Sequence, residues 1–294
     1  MKIGVISDIH SNVIAFREAM DTMLSRGCEE FLFLGDYVSD TPYTRETMDE
    51  IYCLRKQYPC WFLRGNREEY LLNQKKIREG TLSGEKWLFN SASGNLLFTY
   101  ERLTEEDFSF FESLPVTFCY EKEGYPRITC CHGSPINTRE LMQLGAENSV
   151  CYLSQIDTDY LIAAHTHYPG QFMFNGKTHL NPGCCGIAIY DYGYAQCMIL
   201  ESVKSKWVPT FLKVPYDREA VIEEMIRGGL YQSAPWFINA NIHILKTGID
   251  KCAQMVVRAL EIEKERNNGE ALWPHISEEA FEEASKELEI PAYL

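Results

Sequence analysis

Five short apolar runs, each closed by a Gly, Asp, Asn or His, constrain this chain more than any other feature. They span residues 3–6, 31–34, 61–63, 128–131 and 161–164. A run of three or four apolar residues ending on a polar one reads as a buried strand that delivers a polar side chain at its carboxyl end. Between the first three runs lie helical patterns. One covers residues 12–24, with Ile14, Ala15, Ala19 and Met23 on one face; the other covers 44–57 and is stopped by Pro59. Strand alternating with helix predicts an α/β sheet, in which ligands gather beyond the carboxyl ends of the strands.

Residues 68–113 read as a mostly helical insertion over one edge of that sheet. From Val116 strands dominate, with hairpin-like pairs at 116–120 with 127–131, 172–174 with 177–180, and 187–192 with 194–201, enough for a second sheet. After Pro215 the pattern turns helical, and the last 80 residues hold 8 basic and 15 acidic side chains. At about 150 residues per domain, the 294-residue chain divides into a core, 1–214, and an acidic helical C-terminal extension, 215–294. In the extension Ile242, Leu245, Ile249, Cys252, Val256 and Ala259 recur at spacings of three and four, which predicts one helix over 242–260 with an apolar stripe. Three partners for the stripe stay open: the core, a second copy in a homo-oligomer, or the site itself, with the extension as a lid carrying Tyr231, Trp236 or Phe237.

Composition narrows the function. A net charge of −14 is the wrong sign for a nucleic-acid backbone, so no nucleic-acid partner is expected. The 11 cysteines are odd in number and contain no C-x-x-C, which argues against a disulfide framework or a cysteine-ligated zinc. The apolar run before Ser7 is too short for a signal-peptide core, and no stretch of about 18 apolar residues occurs. A cytoplasmic protein without a membrane partner is the expectation.

The five runs deliver Asp8-Ile9-His10, Gly35-Asp36, Gly65-Asn66-Arg67, His132-Gly133 and His165-Thr166-His167, which contain four of the seven histidines. Taken alone, Asp36 reads as a turn residue and any one histidine as structural. Five such segments at strand ends are not what capping produces. His179, His243 and His275 fit no segment and read as structural. Residues two apart on an extended chain share a face, roughly 6.5–7 Å apart, so Asp8/His10 and His165/His167 each address one point from one side. A ring of oxygen and nitrogen donors suits divalent ions of the Mn, Fe or Zn type. Seven donors exceed the needs of one ion, and two ions ~3.5–4 Å apart sharing a carboxylate use them all.

The order D-x-H, G-D, G-N, H-G and x-H-T-H resembles the calcineurin-like metallophosphoesterases, and Asn181-Pro182-Gly183 is similar to the N-P-G that follows their last ligand pair. Ser7 to Asn12, Leu114-Pro115, His132-Gly133-Ser134-Pro135 and Val214-Pro215-Tyr216-Asp217 make the chain most similar to the branch related to diadenosine tetraphosphatases. The resemblance covers residues 1–228. It implies a four-layer αββα sandwich with two metal ions, one held by Asp8, His10, Asp36 and His167, the other by Asp36, Asn66, His132 and His165. It further implies attack on phosphorus by a hydroxide shared between the ions, catalytic roles for Asp36, Asn66, Arg67 and His132, and room for substrate beside Gly133. One position departs from the family. Where G-N is usually followed by His, this chain has Arg67, which binds phosphate but cannot act as a general acid.

The leading expectation is a metal-dependent phosphoesterase acting on a small phosphorylated substrate, a nucleotide or dinucleoside polyphosphate. The competing one is a catalytically weak metal-binding scaffold that uses its helical extension for protein interaction.

Overall fold

The computed structural model describes residues 1–293, and two five-stranded sheets packed face to face form its centre. The first half of the chain runs β1 (Lys2–Ile6), α1 (Val13–Ser25), β2 (Glu30–Phe33), α2 (Thr44–Gln57), β3 (Cys60–Phe62), α3 (Asn66–Arg78), α4 (Gly94–Tyr100) and α5 (Glu105–Ser113). Then come β4 (Thr117–Tyr120), β5 (Ile128–Cys131), α6 (Glu147–Gln155), β6 (Tyr160–Ile162), β7 (Gly170–Phe174), β8 (Lys177–Asn181), β9 (Tyr194–Val203) and β10 (Lys206–Pro215). Helices α7 (Arg218–Arg227), α8 (Leu230–Ser233), α9 (Pro235–Thr247), α10 (Cys252–Arg266) and α11 (Glu278–Glu287) close the chain.

The first sheet has the order β10-β9-β1-β2-β3 and the second β4-β5-β6-β8-β7. Alternation along the strands builds the layers. Ile3, Val5, Leu32 and Leu34 point between the sheets and meet Tyr120, Ile128, Ile162 and Leu180 of the second. Ile6, Phe31 and Phe33 point the other way, against Phe16, Ala19 and Met23 of α1 and Ile51 of α2. On the far side Leu153 of α6 packs with Leu161, Ala163 and Phe172. These are the four layers of an αββα sandwich. Strands β1, β2 and β3 run parallel, as do β5, β6 and β8, so the strand ends that carry Asp8, Asp36, Asn66, His132 and His165 open on one rim.

Two sequence expectations fail locally. Residues 187–192 are not a strand: β9 pairs along its whole length with β10, and the turn between them uses Lys204 and Ser205 at φ 49° and 58°. Ile187 and Ile189 are buried instead against Ile238, Ile242 and Leu245 of α9. The single helix expected over 242–260 is two. Gly248, at φ 74°, caps α9, and α10 begins only at Cys252.

Most of the interrupted stripe is covered within the chain, while Ile249, in the break after Gly248, is 49% exposed. Ile242 and Leu245 pack on residues 187–189, and Ala259 packs on α11 through Phe281 and Ala284. Polar contacts tie the last helices to the insertion: Trp236 N–H donates to Ser91 Oγ, and Ser91 N–H and Oγ both donate to Glu278 at 2.7 Å. Among the described residues no helix is long and apolar enough to cross a membrane.

Candidate metal centre

Three of the five strand ends, those after β1, β2 and β6, turn sharply into their loops. Asp8, His10, Asp36, His165 and His167 all take left-handed backbone conformations, with φ between 50° and 62°. Such a conformation costs a non-glycine residue about 1–3 kcal/mol and persists where the surroundings over-determine it. Here the loops are stitched together: Asp8 N–H donates to Gly35 C=O, His10 N–H to Asp36 C=O and Ala164 N–H to His132 C=O. Five strained residues meeting at one rim mark it as functional without reference to side-chain chemistry.

The side chains converge. Asp8 Oδ1 lies 3.2 Å from His167 Nε2, 3.8 Å from His10 Nε2 and 3.9 Å from His132 Nε2. His132 Nε2 is 3.4 Å from Asp36 Oδ1 and 3.0 Å from Asn66 Oδ1. Ligand atoms of Asp8, His10 and Asp36 cluster within 4.8 Å of one another, as do those of Asp36, His132 and His165, so Asp36 belongs to both groups. All seven donors expected from the sequence therefore reach one place.

Helix α3 begins at the same spot. Gly65 precedes it, and a side chain there would meet Asp36 Oδ1 at 2.1 Å, so only glycine lets the helix start against that carboxylate. Asp36 Oδ1 accepts from Arg67 N–H at 2.8 Å, which sets an anion on the positive end of the helix.

The chemistry of the donor set fits cations. His132 Nδ1–H donates to Leu34 C=O at 2.7 Å, so its Nε2 either carries a second proton or aims a lone pair at the Asn66 oxygen. A cation between them removes that conflict. Burial opposes a charge on His132, yet Asp36 and Asp8 outweigh it and hold the imidazole up at about 9. Burial likewise opposes ionisation of Asp8 and Asp36. The histidines prevail, keeping Asp8 well below the carboxylate range and Asp36 at about 2. Two ionised carboxylates at 0% and 2% exposure need positive charge beside them, and Asp8 Oδ2 has no hydrogen-bond partner. His165, held down at about 4 by burial and by His132, offers a neutral ring.

Several participants escaped sequence reasoning. Asp40 is buried, 3.0 Å from His10 Nδ1 and 2.7 Å from Arg67 Nη2, and accepts from Asn95 Nδ2. A carboxylate behind a ligating histidine fixes its ring orientation. Glu68 accepts from the N–H groups of Asp36, Tyr37 and Gly65, locking the two loops together. Cys184 lies within ligand range of His10 and His167. Asn181 donates to Ala164 C=O and Thr166 Oγ1, which shapes the loop carrying His165 and His167. Only Asn181 stood in a quoted motif; an aspartate four residues after Asp36 carries no spacing signal that separates it from a turn residue.

Arg67 is neither solvated nor free: its side chain is 22% exposed and paired with Asp40. The expectation for Gly133 fails, because a side chain there would strike Asn137 O at 2.6 Å and Thr138 O at 2.7 Å. Its absence serves the turn after β5 and leaves no extra room for substrate.

A cavity of about 880 Å³ opens from this cluster. His10, Asp36, Asn66, Arg67, His165 and His167 form its polar end, and most of the rest of its wall comes from the insertion and the extension, including Trp87, Leu96, Phe237 and Val256, with Arg139, Leu141 and Ile187 added from the core. Of the three aromatic residues considered for a lid, only Phe237 lines it; Tyr231 and Trp236 do not.

A family model described as calcineurin-like phosphoesterase matches residues 1–193. A protein of Methanocaldococcus jannaschii of uncharacterized function is 22% identical over 246 residues, covering 78% of this chain and 93% of that one. Among solved structures, a hypothetical protein from Pyrococcus horikoshii aligns with TM-score 0.70 at 21% identity, over 85% of this chain and 99% of its own. A metallophosphoesterase from Sphaerobacter thermophilus aligns with TM-score 0.66 at 21% identity over the same shares. At these identities the two structures speak for the fold alone.

Proposed function

Because the chain belongs to the calcineurin-like phosphoesterase family, and is thereby a metal-dependent phosphoester hydrolase with two divalent ions, we propose that it cleaves a nucleotide or dinucleoside polyphosphate. The observation that carries this reading is the cavity. Its volume of about 880 Å³ is that of a small-molecule site, with charged and imidazole donors at one end and, over the remainder, aromatic and aliphatic side chains interspersed with polar ones such as Gln74, Glu85 and Asn241. A substrate with a phosphoryl group at one end and a planar group with polar edges at the other matches both halves. The extension supplies Phe237, Asn241 and Val256 to the wall, so its helices act as part of the substrate site as well as packing on the core.

In this reading Asp8, His10, Asp36 and His167 hold one ion, and Asp36, Asn66, His132 and His165 the other. When bound, two such ions supply the activated water and neutralise charge on the phosphoryl oxygens. The remaining work falls to the protein. Asp40 and the Leu34 carbonyl fix the rings of His10 and His132, and Glu68 holds the loops of Asp36 and Asn66 in register. Arg67, held by Asp40 at Nη2 and 4.0 Å from Asp36 Oδ2 at Nε, would place its positive charge beside a phosphoryl oxygen. The similarity to the diadenosine tetraphosphatase branch supports a phosphoanhydride among the candidate substrates.

Turnover of bis(4-nitrophenyl) phosphate tests the reading. Purified protein with Mn²⁺ releases nitrophenol, excess chelator stops the release, and added Mn²⁺ restores it. No release with Mn²⁺, Fe²⁺, Zn²⁺ or Co²⁺ would overturn it.

A further inference from the structure

Helix α3 leads from the metal centre along the cavity. Asn66, Arg67, Tyr70, Asn73, Gln74 and Ile77 all line it, at the spacing of three and four that marks one helix face. At 1.5 Å per residue, Gln74 lies about 10 Å beyond Arg67 along the axis, two turns deeper. There the side chain is 1% exposed, and neither Nε2 nor Oε1 has a hydrogen-bond partner. A buried carboxamide unpaired at both ends is costly in a folded protein and calls for a reason. Nearby parts of the α3 face differ from it: Ile77 is apolar, Tyr70 is covered by the guanidinium of Arg139 at 4.6 Å, and the Asn73 carboxamide is only half-buried, where water satisfies it.

We infer that Gln74 reads the hydrogen-bonding edge of a nucleobase, one that sets an amino group beside an unprotonated ring nitrogen as adenine does. The inference rests on the nucleotide reading above and makes it specific. A carboxamide presents an acceptor and a donor side by side: Oε1 accepts from the amino group and Nε2 donates to the ring nitrogen. Trp87 and Phe237 in the same wall suit the faces of a planar ring. With a phosphoryl group held at Arg67, the base lies two helical turns along α3, where Gln74 is the buried side chain left without a hydrogen-bond partner. Gln74 is thus a specificity-determining residue that takes no part in the chemical step.

The test uses the full chain and Gln74→Leu, which removes both unpaired atoms and leaves a side chain of similar size for an apolar wall. Gln74→Glu, which keeps an acceptor and loses the donor, stands in if the leucine variant does not fold. Adenosine carries no phosphate, so its binding reports on the base site apart from the metal centre. It should quench the tryptophan fluorescence of the wild type saturably, with Kd raised about tenfold or more in the variant, the loss of one to two hydrogen bonds. The ratio of kcat/KM for diadenosine tetraphosphate to that for bis(4-nitrophenyl) phosphate should fall by a similar factor. Adenosine that does not bind the wild type, or a variant that matches it in both Kd and ratio, overturns the inference. Failure to cleave either phosphate ester would instead defeat the hydrolase reading, and the adenosine titration would still judge Gln74.

Discussion

Asp36→Asn is expected to strip the protein of metal and activity together. Among the described residues Asp36 is the carboxylate that belongs to both clusters, and its Oδ1 is already fixed by Arg67 N–H at 2.8 Å. An asparagine places either an NH₂ against that N–H or its only acceptor there, and in both cases the charge between two cations is gone. Residues that merely orient a metal ligand cost about 10–100-fold when removed. The shared ligand should therefore cost more than about a hundredfold in kcat/KM, accompanied by loss of bound metal. Elemental analysis and aryl phosphate kinetics on the same preparation check this. A variant that retains both ions and wild-type rates would show that Asp36 does not bridge.

The second large effect concerns the leaving group. Arg67 stands where the family usually has a histidine, and Asp40 and Asp36 beside it push its guanidinium further toward the charged form despite burial. An arginine that never releases its proton cannot protonate a departing alkoxide, and general acid catalysis is typically worth about 10²–10⁴ in rate. Phosphoanhydrides and aryl phosphates, whose leaving groups are stable anions, do not need that proton. Diadenosine tetraphosphate and aryl phosphates should therefore turn over at least about a hundredfold faster than glycerol phosphate. Arg67→His should narrow the gap by speeding the alkyl ester. Equal wild-type rates on glycerol phosphate and diadenosine tetraphosphate would refute the argument.

The parts of this fold legible in the sequence are those where local pattern and tertiary role coincide. A buried parallel strand must be apolar throughout and must end in a polar loop, so residues 3–6, 31–34 and 128–131 announced both the sheet and the donors beyond it. Residues 187–192 carry a similar apolar pattern, yet Ile187 and Ile189 are buried by helix α9 with no ladder partner. Periodicity reports burial and does not say what covers the residue. The break at Gly248 had a local signal, a glycine just after Lys246 and Thr247, which the longer stripe concealed.

Around the metal centre the donors were readable because their chemistry is distinctive. Their supports were not. Asp40, Glu68 and Gln74 are an aspartate in a turn, a glutamate in the first turn of a helix and a glutamine within it, all unremarkable by type and spacing. What sets them apart is burial and partners: a histidine of the donor cluster and an arginine for Asp40, three backbone N–H groups for Glu68, and no partner for Gln74. Gly133 shows the converse error, a motif glycine credited with making room for substrate when the turn packed on it already requires it.

Metal content of the wild-type protein bears most directly on the whole account. Purified protein stripped with chelator, reconstituted with Mn²⁺, desalted and measured by elemental analysis should hold about two equivalents, with one ion lost first as the metal is competed away. Less than about half an equivalent of any transition metal after reconstitution would contradict a two-metal centre built from these seven donors.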